Sequence, residues 1–154
     1  MKLGELLGPE GLVVGFNPPD KWQGISDLVQ ILVDRGRLTA AQAEPALEAV
    51  LRRERSMSTG MERGIAIPHA ALDGIAEPLA CLGITAPGQG VPFESMDGAP
   101  AELVVLLLIP KAQKLVHIRT LADVARVLGN AEVRSRLGQA ADEQQAFEVL
   151  QSAS

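Results

Sequence analysis

Apolar residues follow two different spacings along the chain, and the change from one to the other marks its predicted elements. The apolar run from Leu12 to Phe16 predicts a strand that ends at Asn17-Pro18-Pro19. Asp20 is a suitable N-cap for a helix that begins at Lys21 and closes near Gly36. Four apolar residues of this segment recur at helical spacing: Ile25, Leu28, Val29 and Leu32.

A second helix is predicted by the capping box Thr39-Ala40-Ala41-Gln42, and it should run to about Glu54. Its apolar positions fit a period of 3.6 residues: Ala43, Leu47, Val50 and Leu51.

Three strands are predicted next, at about Gly64–Pro68, Leu79–Thr85 and Glu102–Ile109. Turn residues separate them, at 86–90 and at 97–100. The last strand is almost continuously apolar, which is typical of a strand in a sheet that is covered on both faces.

The C-terminal third has the apolar spacing of helices. Ile118, Leu121, Ala125 and Leu128 define one helix that ends near Gly129-Asn130. Shorter helices are predicted at about Ala131–Leu137 and from Asp142 to Leu150. Strands that alternate with helices over 154 residues predict one α/β domain, 1–154, with helices packed on a mixed sheet.

Composition excludes several functional classes. The formal net charge is −5 and no Lys/Arg cluster adjoins aromatic residues, so we expect no nucleic-acid binding. No apolar run approaches the length of a membrane-spanning helix, and the N-terminus lacks the apolar core of a signal peptide. A single cysteine, Cys81, excludes an internal disulfide framework. These features predict a cytoplasmic protein without direct membrane insertion.

Gly64-Ile65-Ala66-Ile67-Pro68-His69 carries one of only two histidines. The pattern predicts a short buried strand, ended by Pro68, from which His69 emerges. A neutral imidazole has a free ring nitrogen that can attack phosphorus. His69 is therefore the candidate nucleophile.

Two further groups complete the candidate site. His117 lies in the first turn of the third long helix, where the helix dipole and free amides favour an anion. Arg53-Glu54 closes the second helix and leads into Ser58-Thr59-Gly60, and the arginine is a forked donor for phosphate. With the hydroxyls of Ser58 and Thr59 and the backbone of Gly60 as phosphate-binding groups, the set suits phosphoryl transfer through a phosphohistidine. A phosphoryl group that arrives on another protein requires no Mg²⁺.

Each of these residues also has a structural interpretation when it is taken alone. A histidine after a strand often serves ordinary hydrogen bonding, His117 suits a helix face, and Arg53 suits a solvated helix end. A zinc site made from the two histidines and a carboxylate lacks the usual ligand spacing. Cys81 is expected to be a buried strand residue, and Asp97-Gly98 a turn.

Taken together, the segments resemble the enzyme IIA (EIIA) domain of the bacterial phosphoenolpyruvate:sugar phosphotransferase system, in its type 2 branch of fructose/mannitol and nitrogen-regulatory domains. The resemblance covers nearly the whole chain and rests on motifs that occur in the family's order. They are Lys21, Arg53-Glu54, Ser58-Thr59-Gly60, Gly64 through His69, Asp97-Gly98, Leu103 through Pro110, and His117.

The resemblance implies a three-layer α/β/α sandwich around a mixed sheet. It implies that His69 accepts a phosphoryl group on Nε2 from the phosphocarrier protein HPr and passes it to an enzyme IIB partner, with His117 and Arg53 as stabilisers and with no cofactor or metal. The alternative is a regulatory binding module of the same family, whose phosphorylation state controls a partner protein. A degenerate domain that has kept the fold without phosphotransfer is a third reading.

One segment departs from the family pattern. Family members read Thr-Gly-Ile-Gly-x-Gly where this chain has Thr59-Gly60-Met61-Glu62-Arg63-Gly64. Because Glu62 replaces a glycine, we expect the loop to lose free access to positive φ and to carry a negative charge near the phosphate, offset by Arg63.

Overall fold

The computed structural model describes residues 2–153 and consists of a five-stranded sheet between two layers of helices. Met1 and Ser154, the ends of the predicted domain, lie outside the described residues. The strands are β1 (Leu12–Val14), β2 (Ile65–Ala66), β3 (His69–Leu72), β4 (Leu79–Ile84) and β5 (Leu103–Pro110). The helices are α1 (Leu3–Leu7), α2 (Lys21–Asp34), α3 (Ala40–Ser56), α4 (Lys114–Leu128), α5 (Ala131–Gly138) and α6 (Glu143–Ser152).

The sheet is mixed, as the sequence predicts. Its order is β1-β4-β5-β2, and β3 pairs with β5 on the same side as β2. Strand β4 runs antiparallel to β5, while β1 is parallel to β4 and both β2 and β3 are parallel to β5. The three-layer architecture is confirmed.

Strand β5 lies at the centre and all eight of its residues are buried. Its side chains alternate between two cores. Leu103, Val105, Leu107 and Ile109 pack under α1, α4, α5 and α6, whereas Val104, Leu106 and Leu108 pack under α2 and α3. The continuous apolar run in the sequence therefore reports helices on both faces.

Capping groups fix the starts of α2 and α3 where the sequence predicts them. The Asp20 side chain accepts a hydrogen bond from the backbone N–H of Gln23. Thr39 and Gln42 form a reciprocal capping box. The last turn of α3, which contains Arg53, lies at the candidate site.

Several predicted boundaries were wrong. The first strand ends at Val14 and not at Phe16, because the chain turns at Gly15 with φ +79°. Helix α1 was not predicted, since Leu3–Leu7 is too short for a periodic signal. Within the described residues, no helix is long and apolar enough to cross a membrane.

Candidate active site

His69 is the first residue of a strand, and the prediction that it emerges from the end of one was wrong. The predicted strand 64–68 is shorter, because Pro68 has no N–H to continue the ladder after β2. Its carbonyl nevertheless accepts a hydrogen bond from the N–H of Leu107, 3.0 Å away, which keeps the chain beside β5. Strand β3 then resumes parallel pairing with His69 opposite Leu107. The residue before His69 and the strand that begins at His69 are therefore both hydrogen-bonded to β5, which fixes the backbone of His69.

The imidazole of His69 is held in one tautomer. Its Nδ1 lies 2.7 Å from the carbonyl oxygen of Ile67. A carbonyl can only accept, so Nδ1 carries the proton and the lone pair is on Nε2. Burial lowers the pKa of His69 below its usual value, and the charges of Arg53 and His117 lower it further against the raising effect of the Ile67 hydrogen bond. The ring is therefore neutral near pH 7, as a nucleophile requires.

His117 lies beside His69 in the first turn of α4, where the sequence places it. The two ring centroids are 5.4 Å apart and the ring planes are inclined at 72°, so the rings meet edge to face. Both histidines line a cleft of about 460 Å³ together with Arg52, Arg53 and Ser56 at the end of α3. Two residues that are 48 positions apart in sequence thus face one cavity.

Arg53 reaches this cleft from the last turn of α3. One of its guanidinium nitrogens, Nη1, donates a hydrogen bond of 2.8 Å to the carbonyl of Met57. The contact anchors one arm of the guanidinium while the rest of its donors remain available. Arg53 and His69 line both the larger cleft and an adjoining one of about 270 Å³.

Ser58, Thr59 and Gly60 line the smaller cleft, but the Thr59 hydroxyl and the Gly60 amide already have protein partners. The Thr59 hydroxyl donates to Oε1 of Glu54. The Gly60 N–H donates to the Ser58 hydroxyl oxygen, 3.1 Å away. The Thr59 hydroxyl and the Gly60 amide are thus committed to the loop itself.

A buried ion pair lies directly beneath this loop, and it was not predicted. Lys21 Nζ is 3.2 Å from Oε2 of Glu54, and the side chain of Glu54 is 0% exposed. Lys21 also donates to Glu94 from the solvent side. Burial lowers the pKa of Lys21, but its hydrogen bonds to Glu94 and Glu54 outweigh burial and raise it overall.

The sequence does contain a signal for this pair. Glu54 follows Val50 by four residues and therefore lies on the buried face of α3, where an unpaired carboxylate is strongly disfavoured. A charged residue at an apolar position of a helix implies a buried partner, although it cannot identify which residue that is.

The loop before β2 corrects the prediction for Glu62. Among residues 2–153, Arg63 is the only non-glycine residue with positive φ, at 67°, and Gly64 follows at 74°. Glu62 is exposed and keeps a negative φ, so its side chain carries no backbone strain of this kind. The N–H of Arg63 donates to Oδ2 of Asp97, 2.8 Å away, in the predicted Asp97-Gly98 turn.

Within residues 2–153, no group of three or more His, Cys, Asp and Glu residues lies close enough to hold a metal ion. Cys81 is fully buried on β4, as predicted, and burial raises the pKa of its thiol to about 12.

The family described as "Phosphoenolpyruvate-dependent sugar phosphotransferase system, EIIA 2" matches residues 6–153. The chain belongs to this family. It is 35% identical to the "PTS system fructose-specific EIIA component" of Haloferax volcanii, over 94% of this chain and 92% of that protein. It is 33% identical to the "Nitrogen regulatory protein" of Pseudomonas aeruginosa, over 97% of this chain and 95% of that protein. The resemblance found in the sequence is confirmed, and the protein is an EIIA phosphocarrier component.

Solved structures show the same fold. The nitrogen regulatory protein IIA-Ntr from Neisseria meningitidis superposes with a TM-score of 0.82 at 24% identity, over 96% of this chain and 98% of that one. The mannitol IIA domain of Escherichia coli, solved in complex with phosphorylated IIB, has a TM-score of 0.78 at 21% identity, over 95% and 97% of the two chains.

Exposed apolar side chains accompany the site of this EIIA domain. Leu115 and Ile118, on either side of His117 in α4, are 59% and 66% exposed. Met57, whose carbonyl holds Arg53, is 70% exposed, and Met61 lines the smaller cleft. Ile118, one of the apolar residues that indicated this helix, faces solvent, while α4 buries Val124, Val127 and Leu128.

Proposed function

We propose that this EIIA domain, acting as one unit over 1–154, carries a phosphoryl group on Nε2 of His69. It accepts the group from an HPr-type phosphocarrier protein and passes it to an enzyme IIB partner. The observation that carries the proposal is the 2.7 Å contact between Nδ1 of His69 and the Ile67 carbonyl. That contact leaves the lone pair on the other ring nitrogen of a residue that lines a solvent-accessible cleft.

The transfer is an in-line displacement at phosphorus. The lone pair of Nε2 forms the new N–P bond while the bond from phosphorus to the donor protein breaks, and its electron pair leaves with the donor. The Nδ1 proton stays on His69 throughout and continues to donate to Ile67. No water, metal ion or nucleotide enters the balance of this step.

Two side chains are assigned to the charge that develops on the phosphoryl oxygens. Arg53 supplies guanidinium donors from the α3 side, and His117 supplies a ring N–H from α4. The phosphate-binding role predicted for Ser58, Thr59 and Gly60 rests on their lining of the smaller cleft. Because the Thr59 hydroxyl and the Gly60 amide have partners within the loop, their contribution is to shape this cleft.

Both protein partners are proposed to dock over the same cleft. The exposed apolar side chains Met57, Met61, Leu115 and Ile118 provide an apolar contact area beside His69. A phosphoryl donor and acceptor must each reach Nε2 directly, since transfer in water would hydrolyse the group. We assign this exchange to the cytoplasm, where phosphoenolpyruvate-dependent transfer begins.

The test is intact-protein mass after incubation with phosphoenolpyruvate, enzyme I and HPr. The wild type should gain a single acid-labile phosphoryl group, and His69→Gln should gain none. His117→Gln is the matched control, because it also removes an imidazole from the cleft but retains the acceptor. Full labelling of His69→Gln would overturn the assignment.

A regulatory function of the same site is the second candidate. It is favoured by the 33% identity with the Pseudomonas aeruginosa nitrogen regulatory protein over 97% of this chain. Phosphorylation would add about −1.5 to −2 charge beside the apolar docking area and so switch binding of a regulated protein. Phospho-protein incubated with enzyme IIB distinguishes the two: loss of the label to IIB supports transport, and retention of the label supports regulation.

A further inference from the structure

An unbroken chain of hydrogen bonds connects the buried ion pair to the ring of His69. The first link is Lys21 Nζ donating to Oε2 of Glu54 at 3.2 Å. Both oxygens of Glu54 then accept from Thr59, Oε2 from its N–H at 2.9 Å and Oε1 from its hydroxyl. Three hydrogen bonds therefore meet at the carboxylate of Glu54, and Lys21, Glu54 and Thr59 are all buried.

The second half of the chain runs through two peptide groups. The carbonyl of Thr59 accepts the N–H of Ile67 at 3.1 Å. The carbonyl of Ile67 in turn accepts the Nδ1 proton of His69 at 2.7 Å. The Ile67 carbonyl that selects the tautomer of His69 thus belongs to a residue whose own N–H is held by the Glu54-anchored loop.

The same loop is clamped on its other side. The N–H of Met61 donates to the carbonyl of Ile65 at 2.7 Å, and Gly60 bridges Ala66. A Cβ atom on Gly60 would lie 2.5 Å from the carbonyl oxygen of Glu94, so the backbone of Gly60 packs closely against Glu94. Glu54 is therefore the buried anchor of a segment that also hydrogen-bonds to β2.

A buried ion pair by itself adds little to the net free energy of unfolding. Desolvation of two charges costs about as much as their attraction returns, and apolar pairs of similar volume are often equal or better. An ion pair whose hydrogen bonds are all satisfied instead makes its surroundings rigid and favours one arrangement of the groups around it. Among the described side chains no buried polar atom lacks a partner, so this pair is fully satisfied.

We infer that Glu54 and Lys21 are positioning residues for phosphoryl transfer, which hold the Thr59–Ile67 contact and through it the tautomer and orientation of His69. The inference rests on the proposed role of His69. Glu54 also follows Arg53 directly, so the same anchor fixes the end of α3 from which the guanidinium reaches the cleft. Neither positioning residue touches the phosphoryl group.

The test compares substitutions along this chain of contacts, using phospho-HPr as the donor. Lys21→Met and Glu54→Leu remove the ion pair one partner at a time. Thr59→Val removes only the hydroxyl contact, and Thr59→Ser keeps every donor to Glu54. Val133→Ala, in α5 and in the opposite core, is the control for a general loss of stability. Each variant is assayed below its unfolding temperature for kcat and KM, and its histidine ring nitrogens are examined by ¹⁵N NMR.

We expect Lys21→Met and Glu54→Leu to lower kcat by about tenfold to a hundredfold, the range for misplaced catalytic groups, with KM for phospho-HPr changed by less than about twofold. The NMR spectra of these variants should show the His69 proton distributed between Nδ1 and Nε2. Thr59→Ser should match the wild type, and Thr59→Val should fall between.

Unchanged kcat and an unchanged Nδ1–H tautomer in folded Lys21→Met would overturn the inference. If Glu54→Leu does not fold, Thr59→Val against Thr59→Ser decides the question by itself. Equal losses of kcat in Val133→Ala would also overturn it, because the effect would then be one of stability. Labelling that persists in His69→Gln overturns the proposed function instead, so the two failures are distinguishable.

Discussion

The imidazole of His69 meets that of His117 edge to face, with 5.4 Å between the ring centroids and 72° between the planes. His69 is the first residue of β3, which pairs with the central strand β5, and His117 lies in the first turn of α4. In the proposed function, the phosphoryl group is bonded to the ring of His69 and hydrogen-bonded by the ring of His117. The proposed function gives the two histidines unequal roles, which single substitutions can separate.

His117→Ala should still accept a phosphoryl group, because the nucleophile and its Ile67 contact remain. The rate should fall by about a hundredfold, the usual loss for one stabilising donor. The half-life of the adduct should also shorten, since the phosphoryl oxygens lose a partner. Time courses of labelling and of decay measure both effects; a wild-type decay rate would exclude His117 as a stabiliser.

The pH dependence of phosphoryl acceptance should follow His69. Burial and the neighbouring charges of Arg53 and His117 lower its pKa below 6.5, so the nucleophilic neutral form persists to lower pH. The rate should be flat around pH 7 and fall only below pH 6.5. Initial rates across this range, with donor phosphorylation held saturating, give the midpoint.

The same shift has a defined sign for stability. With the folded pKa below the unfolded value of 6.5, the unfolded chain binds a proton first as the pH falls. The contribution of His69 to the free energy of unfolding is therefore complete above pH 6.5 and is lost as the pH falls through the folded pKa. Urea unfolding of wild type and His69→Gln over this range measures it.

Arg53→Lys should preserve a positive charge in the cleft but lose the guanidinium geometry. Lysine cannot hold the Met57 carbonyl and offer a forked donor to phosphate together. We expect a loss of about tenfold or more in kcat, comparable to other misplaced donors. Arg53→Gln additionally removes the charge, so the pH midpoint of the rate should rise. Arg52→Gln, one residue away in the same cleft, is the control.

Arg63→Gly should stabilise the protein. Arg63 has φ of 67°, a conformation that costs a non-glycine residue about 1 kcal/mol and costs glycine almost nothing. The free energy of unfolding should rise by up to about 1 kcal/mol, less the entropy of the more flexible unfolded chain. Glu62→Gly, at the position where the family has glycine, should not stabilise, because Glu62 already has a negative φ. A gain only in Glu62→Gly would contradict the backbone assignment.

The apolar pattern predicted most of the fold because burial and periodicity are local. Asp20, Thr39 and Gln42 cap the helices that they were predicted to cap, since a cap is made within four residues. The run 103–109 predicted a strand covered on both faces, and both cores do meet on β5. Strand β3 was not predicted, because it is an edge segment of only four residues that follows a proline.

For the candidate site, too, the sequence predicted some properties and left others to the tertiary structure. The sequence by itself determined which residue types stand at the site, His69, His117 and Arg53, because their motifs and order are those of the EIIA family. It also indicated a neutral nucleophile at a rigid element. These properties are carried by residue identity and by short-range spacing, which a linear chain displays directly.

Only the tertiary structure decided which partners these residues have. The pairing of Lys21 with Glu54, the commitment of the Thr59 hydroxyl to that carboxylate, and the exposure of Ile118 depend on how α2, α3 and α4 pack on the sheet. Hydrogen bonds between distant segments, and the burial of side chains between them, arise from three-dimensional packing. The spacing of residues along one segment does not predict these contacts.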